Sequence, residues 1–200
     1  MHDFEKLFDD RWVLGRRFAG DKERLAHVKI LRERITLARE ERAKRQEELR
    51  WRFQQPLISM TTNVPGPDKD LPLAGLLKRM AVSCIESAFF TSRVKIDYSE
   101  SRKTAAGPEF FLVPEGIGAR ALKRMMIDIE NSHPLGRFFD IDVIDADGTH
   151  LERASFGFPP RQCIICDRPA IECIRKGTHS LDELLDEMGA MVLTYLREAP

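Results

Sequence analysis

The sequence predicts an α+β fold, a mixed or antiparallel sheet with flanking helices, opened by a long N-terminal helix and closed by a Cys/His segment and a further helix. Three observations lead there. Helical and strand patterns mix without the repeating strand–helix–strand rhythm of a parallel sheet. Apolar residues recur at three- and four-residue steps near both ends of the chain. Between them FFDIDVIDA, residues 138–146, has the alternation of a half-buried strand.

Asp21 to Phe53 reads as one helix. Leu25, Val28, Leu31, Ile35 and Ala38 form its apolar stripe, which stops in REERAKRQEE, where Ala43 alone is apolar. Glu40–Lys44, Glu41–Arg45 and Glu48–Arg52 are spaced for ion pairs along the helix, so this half can stay helical on a solvated face. Pro56 ends the helix, LISMTTNV suits a strand, and PGPDKD makes a rigid turn. A second helix is expected from about Leu71 to Phe90. Strands follow at Arg93–Tyr98 and Glu109–Val113, separated by a polar loop ending in Gly107-Pro108. Gly118 to Glu130 reads as a third helix with Leu122, Met125, Met126 and Ile129 on one side. After the FFDIDVIDA strand come the turn Asp147-Gly148, a weaker strand near Leu151, the cysteines, and an amphipathic helix from Leu181 to Leu196. No Pro/Gly/Ser linker divides the 200 residues, so a single domain spanning 1–200 is expected.

Lysine plus arginine number 32, and aspartate plus glutamate also 32, a balance that argues against a nucleic-acid binder. The first ten residues hold four acids and no apolar run, unlike a secretory signal. No apolar stretch approaches the ~20 residues of a membrane helix. A cytoplasmic protein without membrane partners is expected.

Two constellations carry chemistry. In Phe139-Asp140-Ile141-Asp142-Val143 the two carboxylates project to one face and the apolar residues to the other. Side-by-side acids repel, and a divalent cation removes the conflict; hard oxygen ligands in an open site favour Mg²⁺ and phosphoryl transfer. Surface strands also show this pattern without metal. Gly136 and Arg137 lead into the strand: the glycine permits close backbone approach, or a plain turn, and the arginine can clamp phosphate oxygens. His133 reads as a residue favoured near a helix C-terminus. The second constellation is Cys163-x2-Cys166-x6-Cys173-x5-His179, whose four side chains can complete a tetrahedron around a structural zinc ion, or remain three reduced thiols and a separate histidine. Asp167 and Pro169 can start a short helix there and Gly177 can end it. Cys84 reads as a small buried hydrophobe.

Taken in order, AREERAKRQEEL (38–49), PLISMTTNVPGPDKD (56–70), GPEFFL (107–112), LKRMMIDIENSHPLGRFFDIDV (122–143) and PPRQCIICDRPAIECIRKGTHSL (159–181) resemble the holo-citrate lyase synthase family, the apo-citrate lyase phosphoribosyl-dephospho-CoA transferases. Residues 1–34 lie outside the resemblance, and 159–181 form a zinc knuckle within the domain if metal is bound. The resemblance implies a nucleotidyltransferase-like fold. It implies attack by a serine of the apo-acyl carrier subunit on the α-phosphate of triphosphoribosyl-dephospho-CoA, with release of diphosphate. Asp140 and Asp142 would hold magnesium, and either Glu109 or Glu130 matches the pattern of a third carboxylate. Arg39, Arg42 and Gln46, which share a helix face, become candidates for the triphosphate or the pantetheine-nucleotide arm. Gly66 and Lys69 in the proline turn, Lys123, and Arg161 become further substrate-binding candidates; for each charged residue an ordinary surface role is the alternative. Two other readings stand beside this one: the equivalent enzyme for the malonate decarboxylase carrier, and a zinc-stabilised interaction module.

Overall fold

The computed structural model describes residues 21–66 and 68–198, with side chains from residue 28 onward. The Leu25 side chain of the apolar stripe, Pro67 of the turn and the first 20 residues of the expected N-terminal extension therefore lie outside what is described. The elements are α1 (Asp21–Phe53), β1 (Leu57–Thr62), α2 (Pro72–Ser92), β2 (Lys95–Thr104), β3 (Gly107–Glu115), α3 (Ala119–Ser132), β4 (Phe139–Ile144), α4 (Ala170–Lys176) and α5 (Leu181–Glu198). The strands form one sheet in the order β2-β3-β1-β4, every neighbouring pair antiparallel.

The sheet has two unlike faces. Ile58 and Met60, Phe110 and Leu112, and Phe139, Ile141 and Val143 pack with Leu77, Ile85 and Phe89 of α2, Leu122 and Met126 of α3, and Met188 and Val192 of α5 in the main core. The opposite face is apolar only in part: Leu57, Phe111, Val113 and Ile144 enclose Leu49 of α1. Farther along β1, that face carries Ser59 and Thr61, opposite Asp142 and Asp140.

The polar half of α1 is not a free solvated face. Arg42, Arg45 and Gln46 are half-buried against the sheet and Leu49 is fully buried. Arg45 does not take the Glu41 pairing expected from spacing. It lies 2.8 Å from Glu48 Oε2 and 2.8 Å from Glu100 Oε2, and donates to the Tyr98 hydroxyl, while Glu41 approaches Arg102 at 4.0 Å. Contacts across to β2 thus hold this stretch.

Two further expectations are corrected. Residues 99–104 are strand rather than loop: β2 runs on to Thr104, turns over two alanines, and pairs back through Thr104↔Gly107. The sequence SESRKT has few strand-forming residues, because this is an edge strand whose inward positions Glu100 and Arg102 meet the polar half of α1. The weaker strand near Leu151 reduces to a single bridge, Ile144↔His150, since the chain turns into a 3-10 segment at Arg153–Phe156.

Gly136 opens the 3-10 turn before β4 at a point of close backbone contact. A β-carbon there would lie 2.3 Å from the Glu130 carbonyl oxygen. Gly75, in α2, would place its β-carbon no closer than 3.8 Å to Arg79. Gly136→Ala should therefore lower the unfolding free energy by about 1–3 kcal/mol in chemical denaturation, and Gly75→Ala should raise it by up to ~1 kcal/mol.

Candidate functional site

Asp140 and Asp142 stand on the face that α1 only partly covers. Thr61 Oγ1 donates to Asp140 Oδ2 at 3.3 Å, and an Arg161 guanidinium nitrogen lies 3.5 Å from Asp140 Oδ1. Asp142 makes no hydrogen bond or ion pair among the described residues. It is open to water yet crowded by protein, and this partial loss of hydration raises its carboxyl above the usual range. The charge of Asp140 adds to the rise, against Lys123, His150 and Arg161. Two hard acids that repel each other, one of them unpaired, form a donor set that suits a divalent cation.

Helix α1 brings Gln46 and Arg42 over this face. Gln46 Nε2 donates to Ser59 Oγ at 2.8 Å, and Arg42 lies 3.6 Å from Glu109 Oε1. Glu109 is 1% exposed, and its Oε2 is buried with no partner. Burial raises its pKa, with Arg42 and Arg102 opposing. Arg39 is exposed, and its charge acts on Lys69.

The other carboxylate in the resemblance, Glu130, lies off this face. β4 is an edge strand, and the outward N–H of Ile141 donates to Glu130 Oε1 at 3.0 Å while its carbonyl accepts from Lys123 Nζ at 2.9 Å. α3 thereby closes the edge. Lys123, 5% exposed, is directed at this carbonyl and not towards the open face. Glu130 also binds Arg161 at 2.6 Å and Arg153 at 3.5 Å. Arg161 thus bridges Glu130 and Asp140.

Arg137 is half-buried with its Nε lacking a partner, and burial followed by the Arg161 charge lowers its pKa. Lys69 donates to the Val64 carbonyl, and burial lowers its pKa, helped by Arg39. Gly66 has φ +89° and lies against Leu181, so the turn needs glycine. Ser59, Thr61 and Arg153 also stand at the site, beyond the residues expected from sequence. For the first two the available signal was alternation along β1, which puts both hydroxyls on one face.

The Cys/His segment folds as a small hairpin followed by α4: the Cys163 N–H donates to the Arg168 carbonyl, and the Ala170 N–H to the Arg161 carbonyl. Gly177, with φ 57°, ends α4 and turns the chain to His179. The ligand atoms of Cys163, Cys166, Cys173 and His179 lie within 4.8 Å of one another, with Cys166 Sγ 3.6 Å from Cys173 Sγ and 3.3 Å from His179 Nε2. Sulfurs ~2.3 Å from one tetrahedral zinc would be separated by about 3.8 Å, so the cluster can hold such an ion. Hydrogen bonding from the Arg168 backbone N–H, then from His179, brings the Cys166 thiol down to about 6. Cys84 is half-buried, and burial raises its thiol.

A family model described as apo-citrate lyase phosphoribosyl-dephospho-CoA transferase matches residues 30–195, starting slightly earlier than the resemblance read from sequence. A protein of that name from Citrobacter koseri is 37% identical over 158 residues, covering 79% of this chain and 86% of the relative. Another, from Escherichia coli O9:H4, is 34% identical over 170 residues, covering 85% and 92%. The relatives are transferases, and so is this protein. The chain belongs to the apo-citrate lyase phosphoribosyl-dephospho-CoA transferase family.

His133 caps α3 as a packed ring, not as a cation at the helix end. Its Nδ1 accepts the Leu135 N–H at 3.0 Å, and the ring lies between Phe139 and Tyr195. Burial lowers its pKa below 6.5. The unfolded chain then binds the proton more readily, so stability should fall as pH drops below about 6.5. His133→Asn, which keeps an acceptor for Leu135, should flatten the urea-midpoint dependence in that window.

Proposed function

We propose that this protein transfers the phosphoribosyl-dephospho-CoA group from triphosphoribosyl-dephospho-CoA to a serine of the apo-acyl carrier subunit of citrate lyase. The serine oxygen–phosphorus bond forms at the α-phosphate, the bond from that phosphate to the outer diphosphate breaks, diphosphate leaves, and the serine proton passes to water. Family membership supports the reaction. The observation that carries the mechanism is the aspartate pair on an open sheet face, with Asp142 unpaired among the described residues and its pKa raised by burial and then by the charge of Asp140.

Asp140 and Asp142 would hold magnesium. Bound there, the ion supplies charge neutralisation on the triphosphate and alignment of the α-phosphate. Thr61 and Arg161 orient Asp140 from two sides. Arg42 and Gln46, with Arg39 a turn away, offer cationic and amide groups to the donor; Glu109 fixes Arg42 and, on the same face, is the better placed third carboxylate. Arg137 and Lys69 are the cations available to further phosphates. Gly66 and Gly136 shape the loops that present them, while Lys123 serves the strand edge.

Cys163, Cys166, Cys173 and His179 bind one structural zinc in this reading, and the protein acts in the cytoplasm as one domain, on a carrier protein rather than nucleic acid. Zero formal charge agrees with a carrier protein rather than nucleic acid as partner, and among the described residues no helix is long and apolar enough to cross a membrane. The names of the relatives favour the citrate lyase carrier over that of malonate decarboxylase. Membership of an enzyme family counts against a bare interaction module.

Incubated with donor, magnesium and apo-carrier, the protein should add one phosphoribosyl-dephospho-CoA unit to the carrier by intact mass, with matching diphosphate. Asp140→Asn should slow this at least about a hundredfold with an unchanged circular dichroism spectrum. Modification of the malonate decarboxylase carrier alone would change the partner, and modification of neither would overturn the reading. Protein purified without chelator should carry one zinc by elemental analysis, and Cys166→Ser should lose it and melt at a lower temperature.

A further inference from the structure

A cavity of about 450 Å³ lies between the loop after β1 and the Cys/His segment. That volume suits a small-molecule arm. Its lining includes two cations, Lys69 and Arg137, and among the described residues no carboxylate. Arg137 makes no ion pair among those residues, and its Nε is buried without a partner. Among the described residues Lys69 has only the Val64 carbonyl. Two cations in a concavity with no acid leave positive charge to be answered by a ligand. Much of the remaining wall is aliphatic: Val64, Ile164, Leu181 and Leu184. The chemistry that satisfies both parts is an anionic group carried on an uncharged, flexible arm.

The cavity adjoins the aspartates. Asn63 in its lining follows β1, where Thr61 binds Asp140, and the Asp140 charge acts on the Arg137 guanidinium. Resting on the function proposed above, the geometry points to this cavity as the subsite for the diphosphate–pantetheine arm of the donor. Arg137 and Lys69 meet the arm's diphosphate, and Ile164, Leu181 and Leu184 meet the pantetheine. The triphosphate, which has no use for an aliphatic wall, lies outside on Asp140, Asp142 and α1. Cys163, Cys173 and His179 also line the cavity, so the Cys/His cluster forms part of the wall that holds the arm.

The test is calorimetric titration of the full chain with dephospho-CoA and, separately, with inorganic triphosphate plus magnesium. Leu184→Trp, which fills the aliphatic side, should weaken dephospho-CoA at least tenfold and leave triphosphate within twofold. Lys69→Met should show the same selectivity and serves if the tryptophan variant does not fold. Equal weakening of both ligands, or unchanged dephospho-CoA affinity in a folded variant, overturns the assignment. Carrier modification by the wild type, run in parallel, separates the two proposals. Modification without the selective loss removes only the subsite, whereas selective loss without modification of any carrier keeps the subsite and removes the transfer reaction.

Discussion

Phe139, Ile141 and Val143 must be buried, and that requirement sends Asp140 and Asp142 to the other side of β4. Fully burying three such side chains contributes ~5–9 kcal/mol, whereas like charges on a partly solvated strand cost on the order of 1 kcal/mol. Burial wins, and the repulsion remains in the folded protein, with Asp140 held by Thr61 and Arg161 and Asp142 unpaired among the described residues. An edge strand could fray and release that tension. Glu130 and Lys123 prevent it by taking the outward N–H and carbonyl of Ile141, so α3 substitutes for a missing fifth strand.

The same carboxylate ties the Cys/His segment to the site. Arg161 is held at 2.6 Å by Glu130 and reaches Asp140 at 3.5 Å, and its carbonyl accepts from Ala170 at the start of α4. An ion bound by the cysteines would therefore stiffen more than a local knuckle. It would fix the guanidinium beside Asp140 and the wall of the adjacent cavity. On the opposite side α1 does the corresponding work through Leu49, whose burial fixes the helix and sets Gln46 and Arg42 over β1 and β3.

Much of this was legible in the sequence, for stated reasons. Alternation in FDIDV specifies faces without any tertiary knowledge, and the Cys/His spacing puts two thiols on one hairpin, one on a short helix and the histidine just past that helix, within 4.8 Å of one another. The bounds of α1 follow from an apolar stripe and Pro56. What escaped depends on partners distant in sequence. Residues 99–104 form a strand only because β3 returns beside them and α1 supplies Arg45 and Glu41 to their inward side. Lys123 reads as a phosphate ligand until the free edge of β4 is seen to need a donor. Ser59 and Thr61 look like ordinary strand polar residues until the β1–β4 register sets them across from Asp142 and Asp140.

The proposed mechanism requires the aspartate pair to hold a divalent cation that engages the triphosphate. Anomalous diffraction from crystals soaked in Mn²⁺ and inorganic triphosphate tests it most directly. A manganese peak coordinated by carboxylate oxygens of both Asp140 and Asp142 and by phosphate oxygens is expected. Manganese bound elsewhere, with triphosphate ordered away from β4, would contradict it.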